Sequence, residues 1–449
     1  MKLPRYPEYR SSGVDWLGEV PTHWRIERLK YSATTNDEAL PETADPSLEI
    51  RYVDIGSVDP VVGITKIEEM VFEDSPSRAR RVVRDGDTIV STVRTYLRAI
   101  AAIENPRTNT IVSTGFAVVR PRKIAPSYMS YALREQGFVE AIVARSVGVS
   151  YPAVNASEIG GLPIPLPPRD EQEAIADFLA SETAKIDALI AKKRTLIERL
   201  QEKRTALVSR TVTRGLPPAA ARAAGLDPNP KLKPSGIDWL GDIPAHWDTK
   251  RIKYLAKIES GHTPSRSVDE YWVDCTIPWV SLNDSGYLRN YDYISDTHYQ
   301  INELGLANSS ARLLPTGAVV FSRDATVGLC AITTRPMAVS QHFVAYICGP
   351  NLLPEYLLAS LKVMGQHLQK LSLGATILTV GMDDVQSLAC GVPPYSEQGA
   401  ICQFLKAAMP RLNRMLSKVG SAIDRLQEYR TALITAAVTG KVDVRSLAS

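Results

Sequence analysis

Apolar residues recur every seven positions in two long stretches of this chain. Leu179, Ile186, Leu200 and Leu207 keep that interval, with Lys193 as one polar interruption. Leu405, Leu412, Val419, Leu426 and Leu433 keep it without a break. Ile175, Leu189 and Leu196 in the first stretch, and Ile401 and Met415 in the second, fill the alternate seam positions. A seven-residue apolar repeat sustained over four heptads predicts helices that pair as a coiled coil. At about 1.5 Å per residue, such a stretch makes a rod on the order of 60 Å. Pro410 falls inside the second run, where it predicts a kink, or a short helix followed by a fresh start. Pro-rich segments at 162–168 and 392–394 precede the helices and should end the sheet before them, with Asp170 and Ser396 as the N-caps.

Ahead of each helix the period changes. Short β-branched runs at 50–55, 87–93 and 111–119 read as strands, and 318–322 and 339–347 read as strands at matching places further on. Residues 126–133 and 354–361 read as helices, and Asp85-Gly86 and Thr316-Gly317 as turns feeding a strand. The chain is therefore an α+β body, a long helix, a second α+β body and a second long helix. With bodies and helices alternating, the two helices should run antiparallel and hold the bodies apart. Residues 215–234, rich in Pro, Ala and Gly, link the halves.

The halves are copies. Residues 12–31 read SGVDWLGEVPTHWRIERLKY and 235–254 read SGIDWLGDIPAHWDTKRIKY, identical at twelve positions. Glu171-Gln172 returns as Glu397-Gln398, and Arg204-Thr205-Ala206-Leu207 as Arg430-Thr431-Ala432-Leu433. Trp16/Trp239, Pro21/Pro244, Gly86/Gly317, Ser113/Ser340 and Phe116/Phe343 are kept as well. Two copies of one unit imply a pseudo-dyad, the natural symmetry for reading a two-part DNA site. The kept Glu-Gln pair has two readings of equal weight: a docking point for a partner, or an acid complementing the helix dipole.

Bulk properties narrow the class without settling it. The 449 residues, 44% of them hydrophobic, suffice for two to four globular domains. A net charge of +3 says little about nucleic acid by itself. The basic residues cluster, however: Arg78, Arg80, Arg81, Arg84, Arg94, Arg98 and Arg107 share one stretch, read either as a DNA-facing surface or as a solvated face. All five cysteines lie in the second copy with no C-x-x-C pair, so reduced, mostly buried thiols are expected. No apolar signal core or membrane-length run is visible, which reads as a soluble cytoplasmic protein.

Catalytic signatures are missing. There is no G-x-x-x-x-G-K-[ST] phosphate loop and no Gly-rich dinucleotide turn. His23 and His246, beside Trp24 and Trp247, read as packing residues rather than ligands. Asp248-Thr249-Lys250 resembles the D-x-K of a nuclease metal site, but its copy reads Arg25-Ile26-Glu27. No catalytic or metal-binding residue is assigned.

The tryptophan-containing opening, a body with a G-x-x-x-x-S strand (G-D-x-x-x-S in the first copy), a P-P/E-Q junction and a long helix ending in L-x-x-x-x-V-T, all doubled, resembles the specificity subunit of type I restriction-modification systems. The resemblance spans nearly the whole chain. It implies two target recognition domains (1–168, and 215–394 with the linker) separated by two long antiparallel coiled-coil helical regions (169–214 and 395–449) in a pseudo-two-fold repeat. It also implies a non-catalytic subunit that reads a split target in double-stranded DNA. The implied partners are methyltransferase subunits, two in number, and a restriction translocase-nuclease subunit. S-adenosylmethionine, ATP and Mg would be used by those partners, with no cofactor bound by this chain and no membrane involved. By the same resemblance the DNA-reading residues lie on loops: Arg94, Tyr96, Arg98, Thr114, Ser150 and Tyr151 in the first body, and Arg323, Asp324, Gln341, His342 and Thr376 in the second. Arg can fork onto guanine and Gln onto adenine, while Ser and Thr more often hold phosphates.

Overall fold

In a computed structural model, residues 4–148, 151–372 and 378–445 are described. The chain divides into two compact units, residues 1–194 with 420–449, and residues 195–419. The divisions fall within the long helices, so each unit takes in the end of the other copy's helix.

The first unit is built on two four-stranded sheets. In one, Thr88–Ser91 lies between Ile100–Ala102 and Phe116–Pro121, with Ala33–Thr35 on the outer edge. In the other, Thr110–Ser113 runs parallel to Glu49–Val53 and antiparallel to Ala79–Val82. Residues 111–119, expected as one strand, are two. The chain breaks at Thr114-Gly115 and its halves enter different sheets. Gly115 lies in the break, packed so closely against Ile55 that a Cβ there would be crowded by its side chain. The second unit repeats the plan: Val319–Ser322 lies between Phe343–Cys348 and Cys330–Thr333 in a five-stranded sheet, and residues 339–347 likewise divide into Ala338–Val339 and Phe343–Cys348. Helices Pro126–Leu133 and Pro354–Val363 stand at equivalent places, each opened by its proline.

The Pro-rich segments do not end the sheets. Pro163–Leu166 pairs with Arg25–Arg28, and Ala389–Val392 with Asp248–Arg251. Each ladder has only two strands, and prolines are tolerated on such edges because their missing N–H groups face away from the partner. Nor are Asp170 and Ser396 caps. The helices span Arg169–Arg214 and Tyr395–Val438, so both residues lie inside the first turn. The Pro168 and Pro394 carbonyls open the hydrogen-bond ladders instead. Pro410 does not divide the second helix, which runs through it. Its side chain is exposed, so water can reach the carbonyl deprived of its N–H partner.

Both units show antiparallel packing of the long helices. In the first, Arg430 near the end of the second helix is paired with Asp187 in the first half of the first (3.0 Å). In the second, Val212 near the end of the first helix shares a core with Ile401 and Leu405 at the start of the second. Leu179, Ile186, Leu200, Leu405, Leu412 and Leu433 are buried, and Leu207, Val419 and Leu426 are half-buried. The alternate seam agrees with the sequence reading at Ile175 and Ile401, both buried, and departs from it elsewhere. Leu189, Leu196 and Met415 are each 43% exposed. Thr183 and Ile190 are buried and Ile197, Leu416 and Ile423 are half-buried in their stead. At about 100° per residue, Ile190 is rotated about 40° from Ile186 and Leu189 about 60° the other way. The side carrying Ile190 is the one that meets the first body's core.

The repeated Glu-Gln pair is neither a docking point nor merely a dipole partner. Glu171 is buried and receives hydrogen bonds from the Tyr6 hydroxyl and Trp24 Nε1 (3.1 Å), with His23 Nε2 at 2.9 Å. Gln172 accepts from the Ala125 amide (2.8 Å) and donates to the Pro167 carbonyl (2.9 Å). In the second unit His246 lies 2.8 Å from Glu397, while Gln398 accepts from the Leu353 amide and donates to Pro393. Each pair fastens a helix start to its own body. His23 and His246 therefore orient a carboxylate as well as pack.

Candidate nucleic-acid interface

In the first unit the candidate surface begins where Thr88–Ser91, buried throughout, emerges from its sheet. Thr92 donates to Gly115 O (2.7 Å), and Arg94 N to Pro152 O (2.8 Å). These bonds draw together three segments: 92–98, the 113–115 turn and the loop through Tyr151. Residues 95–97 form a single 3₁₀ turn flanked by Arg94 and Arg98, both left-handed at φ 52° and 51°. That region is uncommon for residues with a Cβ, and strained backbone of this kind clusters at binding sites.

The turn presents large side chains to solvent. Tyr96 and Tyr151 are exposed, and the Arg94 guanidinium lies over the Tyr151 ring, 5.1 Å from its centroid. Arg98 reaches Glu140 at 4.0 Å. Thr114 is exposed, its amide donating to Arg78 O (2.8 Å). Arg94, Tyr96, Arg98, Thr114 and Tyr151 thus belong to one patch, while Ser150 lies outside the described residues. Arg78 joins the patch through Thr114, although the sequence offered it only as one of seven clustered arginines. Others of that cluster are neutralised: Arg84 pairs with Glu38 (2.9 Å) and Arg107 with Glu69 (3.8 Å).

The second unit builds its patch at the same point, after Val319–Ser322. Arg323 N donates to His342 O (2.9 Å), and Val380 N to Arg323 O (2.9 Å). Ala325 takes the left-handed conformation at φ 58°. Arg323, Asp324, Gln341 and His342 are brought together, with His342 Nδ1 3.1 Å from Asp324 Oδ2. Their exposures differ. The Arg323 side chain is 23% exposed and bonds the Val380 carbonyl (3.2 Å), and that of Asp324 is 13% exposed. Gln341 remains exposed, held by Thr263. Thr376 lies outside the described residues.

One residue that sequence reasoning passed over stands near Thr263. Arg266 is exposed, with Trp272 and Tyr299 rings 5.8 and 5.7 Å from its guanidinium carbon. Aromatic faces hold a guanidinium by cation–π attraction without neutralising its charge. Asp248-Thr249-Lys250 is a strand of the two-stranded ladder, and no His, Cys, Asp and Glu grouping able to hold a metal occurs among the described residues. Cys330 and Cys390 are buried, which pushes both thiols up to about 12, while Cys275, Cys348 and Cys402 are half-buried. Among the described residues no helix is long and apolar enough to cross a membrane.

Each unit thus carries an arginine just after its central strand, Arg94 and Arg323, and the doubled chain can be set beside known proteins. The family model for the type I restriction modification DNA specificity domain matches residues 57–199 and again 244–417. Together these take in more than half of the chain, and the chain belongs to that family. It is similar to the type I restriction enzyme MjaIX specificity subunit of Methanocaldococcus jannaschii, 32% identical over 170 residues. That match covers 37% of this chain and spans only 38% of the relative's length. It is also similar to the type I restriction enzyme HindI specificity subunit of Haemophilus influenzae, 23% identical over 68% of this chain and 76% of that one. A solved chain of a type I R-M system, studied for complex assembly and conformational transition, superposes with a TM-score of 0.68 at 25% identity. The superposition covers 93% of this chain and 98% of that chain.

Proposed function

We propose that this chain is the DNA-recognition subunit of a type I restriction-modification complex, with no catalysis of its own. Each unit reads one half of a bipartite target in double-stranded DNA. The observation that carries this reading is the repeated, backbone-fastened turn after the central strand, which differs in its exposed side chains between the copies. A shared scaffold with different reading surfaces suits a two-part site whose halves differ. Arg94, Arg78 and Arg266 are the candidate guanine or phosphate contacts, Gln341 the candidate adenine contact, and Tyr96 and Tyr151 supply stacking or apolar contacts. Two methyltransferase subunits and a restriction translocase-nuclease subunit are the proposed partners. S-adenosylmethionine, ATP and Mg belong to their chemistry, and the cytoplasm is the proposed compartment.

The test is genome-wide mapping of methylated adenines in cells carrying this gene and its neighbouring methyltransferase gene. Deleting the gene should abolish a split motif. Arg94→Ala should degrade or relax one half of that motif and leave the other intact. Identical methylation with and without the gene would reject the reading.

A further inference from the structure

Beneath the hairpin Val58–Ile64 of the first unit lies a cavity of about 510 Å³ that the DNA-reading proposal does not use. Its walls are the side chains of Arg134, Arg194, Arg430, Asp187 and Gln427, with an aliphatic shelf from Val61, Val62 and Ile190.

Charge in this cavity is not balanced. Arg430 is satisfied, bonded through Nε to Asp187 (3.0 Å) and within 3.5 Å of the Val61 carbonyl. That pairing uses the one carboxylate in the wall. Arg134 bonds only Ser130, through its carbonyl (2.9 Å) and hydroxyl (3.3 Å), and stacks over Tyr131. Neither Arg134 nor Arg194 has an ion-pair partner among the described residues. Glu104 and Asp187 attract Arg134 electrostatically, but neither forms an ion pair with it among the described residues. Burial, reinforced by the positive charge of Arg430, pushes Arg134 below its ordinary value. A largely buried guanidinium beside two others is costly unless an anion joins them.

The second copy provides a contrast. The residue equivalent to Arg134 is Lys362, and its ammonium is paired with Asp292. Asn413 stands at the place of Asp187 and Gly420 at that of Arg194. One copy therefore pairs its cation with an acid, and the other leaves its cation without an ion pair beside two further guanidinium groups. We infer that the cavity walled by Arg134, Arg194 and Gln427 is a binding site for a phosphate-class oxyanion. Guanidinium forks match phosphate oxygens in geometry and charge, and the Gln427 amide adds a neutral donor. The aliphatic shelf leaves room for a group attached to the phosphate. The inference stands whether or not the reading turns meet DNA.

The experiment titrates the full chain with inorganic phosphate, balanced with sodium chloride to constant ionic strength, while following its thermal midpoint. The midpoint should rise saturably with phosphate. Arg194→Gln should weaken the apparent affinity about tenfold, the loss of one charge-assisted contact. Arg134→Gln should do the same; because Arg134 also holds Ser130, the exposed Arg194 is the deciding position. Lys362→Gln should leave the affinity unchanged. Thymidine monophosphate and a short DNA duplex are then tested as competitors by ³¹P line broadening of inorganic phosphate. Displacement by the duplex identifies a backbone phosphate as the natural occupant, and displacement by the mononucleotide alone identifies a free phosphorylated ligand. No rise beyond the chloride control, or an unaltered affinity in Arg194→Gln, would overturn the inference.

Discussion

Glu171 shows how much one side chain can do when its partners come from elsewhere in the chain. The Tyr6 hydroxyl that reaches it lies 165 positions away and the Trp24 indole 147. Burial and the nearby carboxylate hold the Tyr6 hydroxyl far above its ordinary range, so it stays a donor. Hydrogen bonds to a buried charge are each worth about 1.5–3 kcal/mol. Glu171→Gln should therefore destabilise the first unit by about 2–4 kcal/mol, since an amide turns its own N–H group toward one of these donors. Glu397 faces fewer donors, so Glu397→Gln should cost the second unit less than half as much. Urea unfolding resolved unit by unit with hydrogen exchange measures both, and equal losses would contradict this account. The Glu-Gln repeat was legible in the sequence, but its purpose was not, because no local pattern marks the donors. The same limit applies to the candidate interface. Arg94 and Tyr96 were visible as bulky residues just past a strand. Arg266 was not, because only folding sets Trp272 and Tyr299 beside it.

At the scale of elements, the seven-residue repeat predicted two long helices, and the structure has them. What it left open was the side of the stripe. From Ile186, both a step of three to Leu189 and a step of four to Ile190 continue an apolar seam, because 3.6 residues per turn does not divide seven evenly. The tertiary partner decides, and it meets Ile190. Ile190→Ala should cost about 2–5 kcal/mol, as for other buried aliphatic truncations, and Leu189→Ala under about 1 kcal/mol. Thermal unfolding of the two variants separates the registers, and a larger loss for Leu189→Ala would restore the one read from sequence. The strands teach a related lesson. Residues 111–119 and 339–347 look continuous in their β-branched pattern, yet each divides between two sheets at a turn joining the candidate surface. Propensity marks where backbone is extended but not which sheet receives it.

For the whole molecule, the consequence lies in where the units divide. The first unit closes only with residues from the far end of the chain. Leu433, Ile434, Ala437, Val438, Val442 and Val444 are buried in the same core as Trp24, Tyr128 and Leu179. Gly440 is left-handed at φ 72°, and a Cβ there would run into the Pro21 ring, so the chain turns tightly against the first body's repeated opening. Tyr9 and the Pro4 carbonyl then bond Gly440 and Asp443. At about 1.5–3 kcal/mol for each fully buried aliphatic side chain, these residues contribute on the order of 10 kcal/mol, comparable to the net stability of an entire domain. A chain ending at Val419 should therefore lose the first unit, at the opposite end of the sequence, and keep the second. Hydrogen exchange should show amides of Thr88–Ser91 and Phe116–Pro121 unprotected in the truncated chain, and those of Val319–Ser322 and Phe343–Cys348 as slow as in the intact one. Retained protection in Thr88–Ser91 would mean that the first body folds without the second helix, and that its closure by the distal segment is incidental.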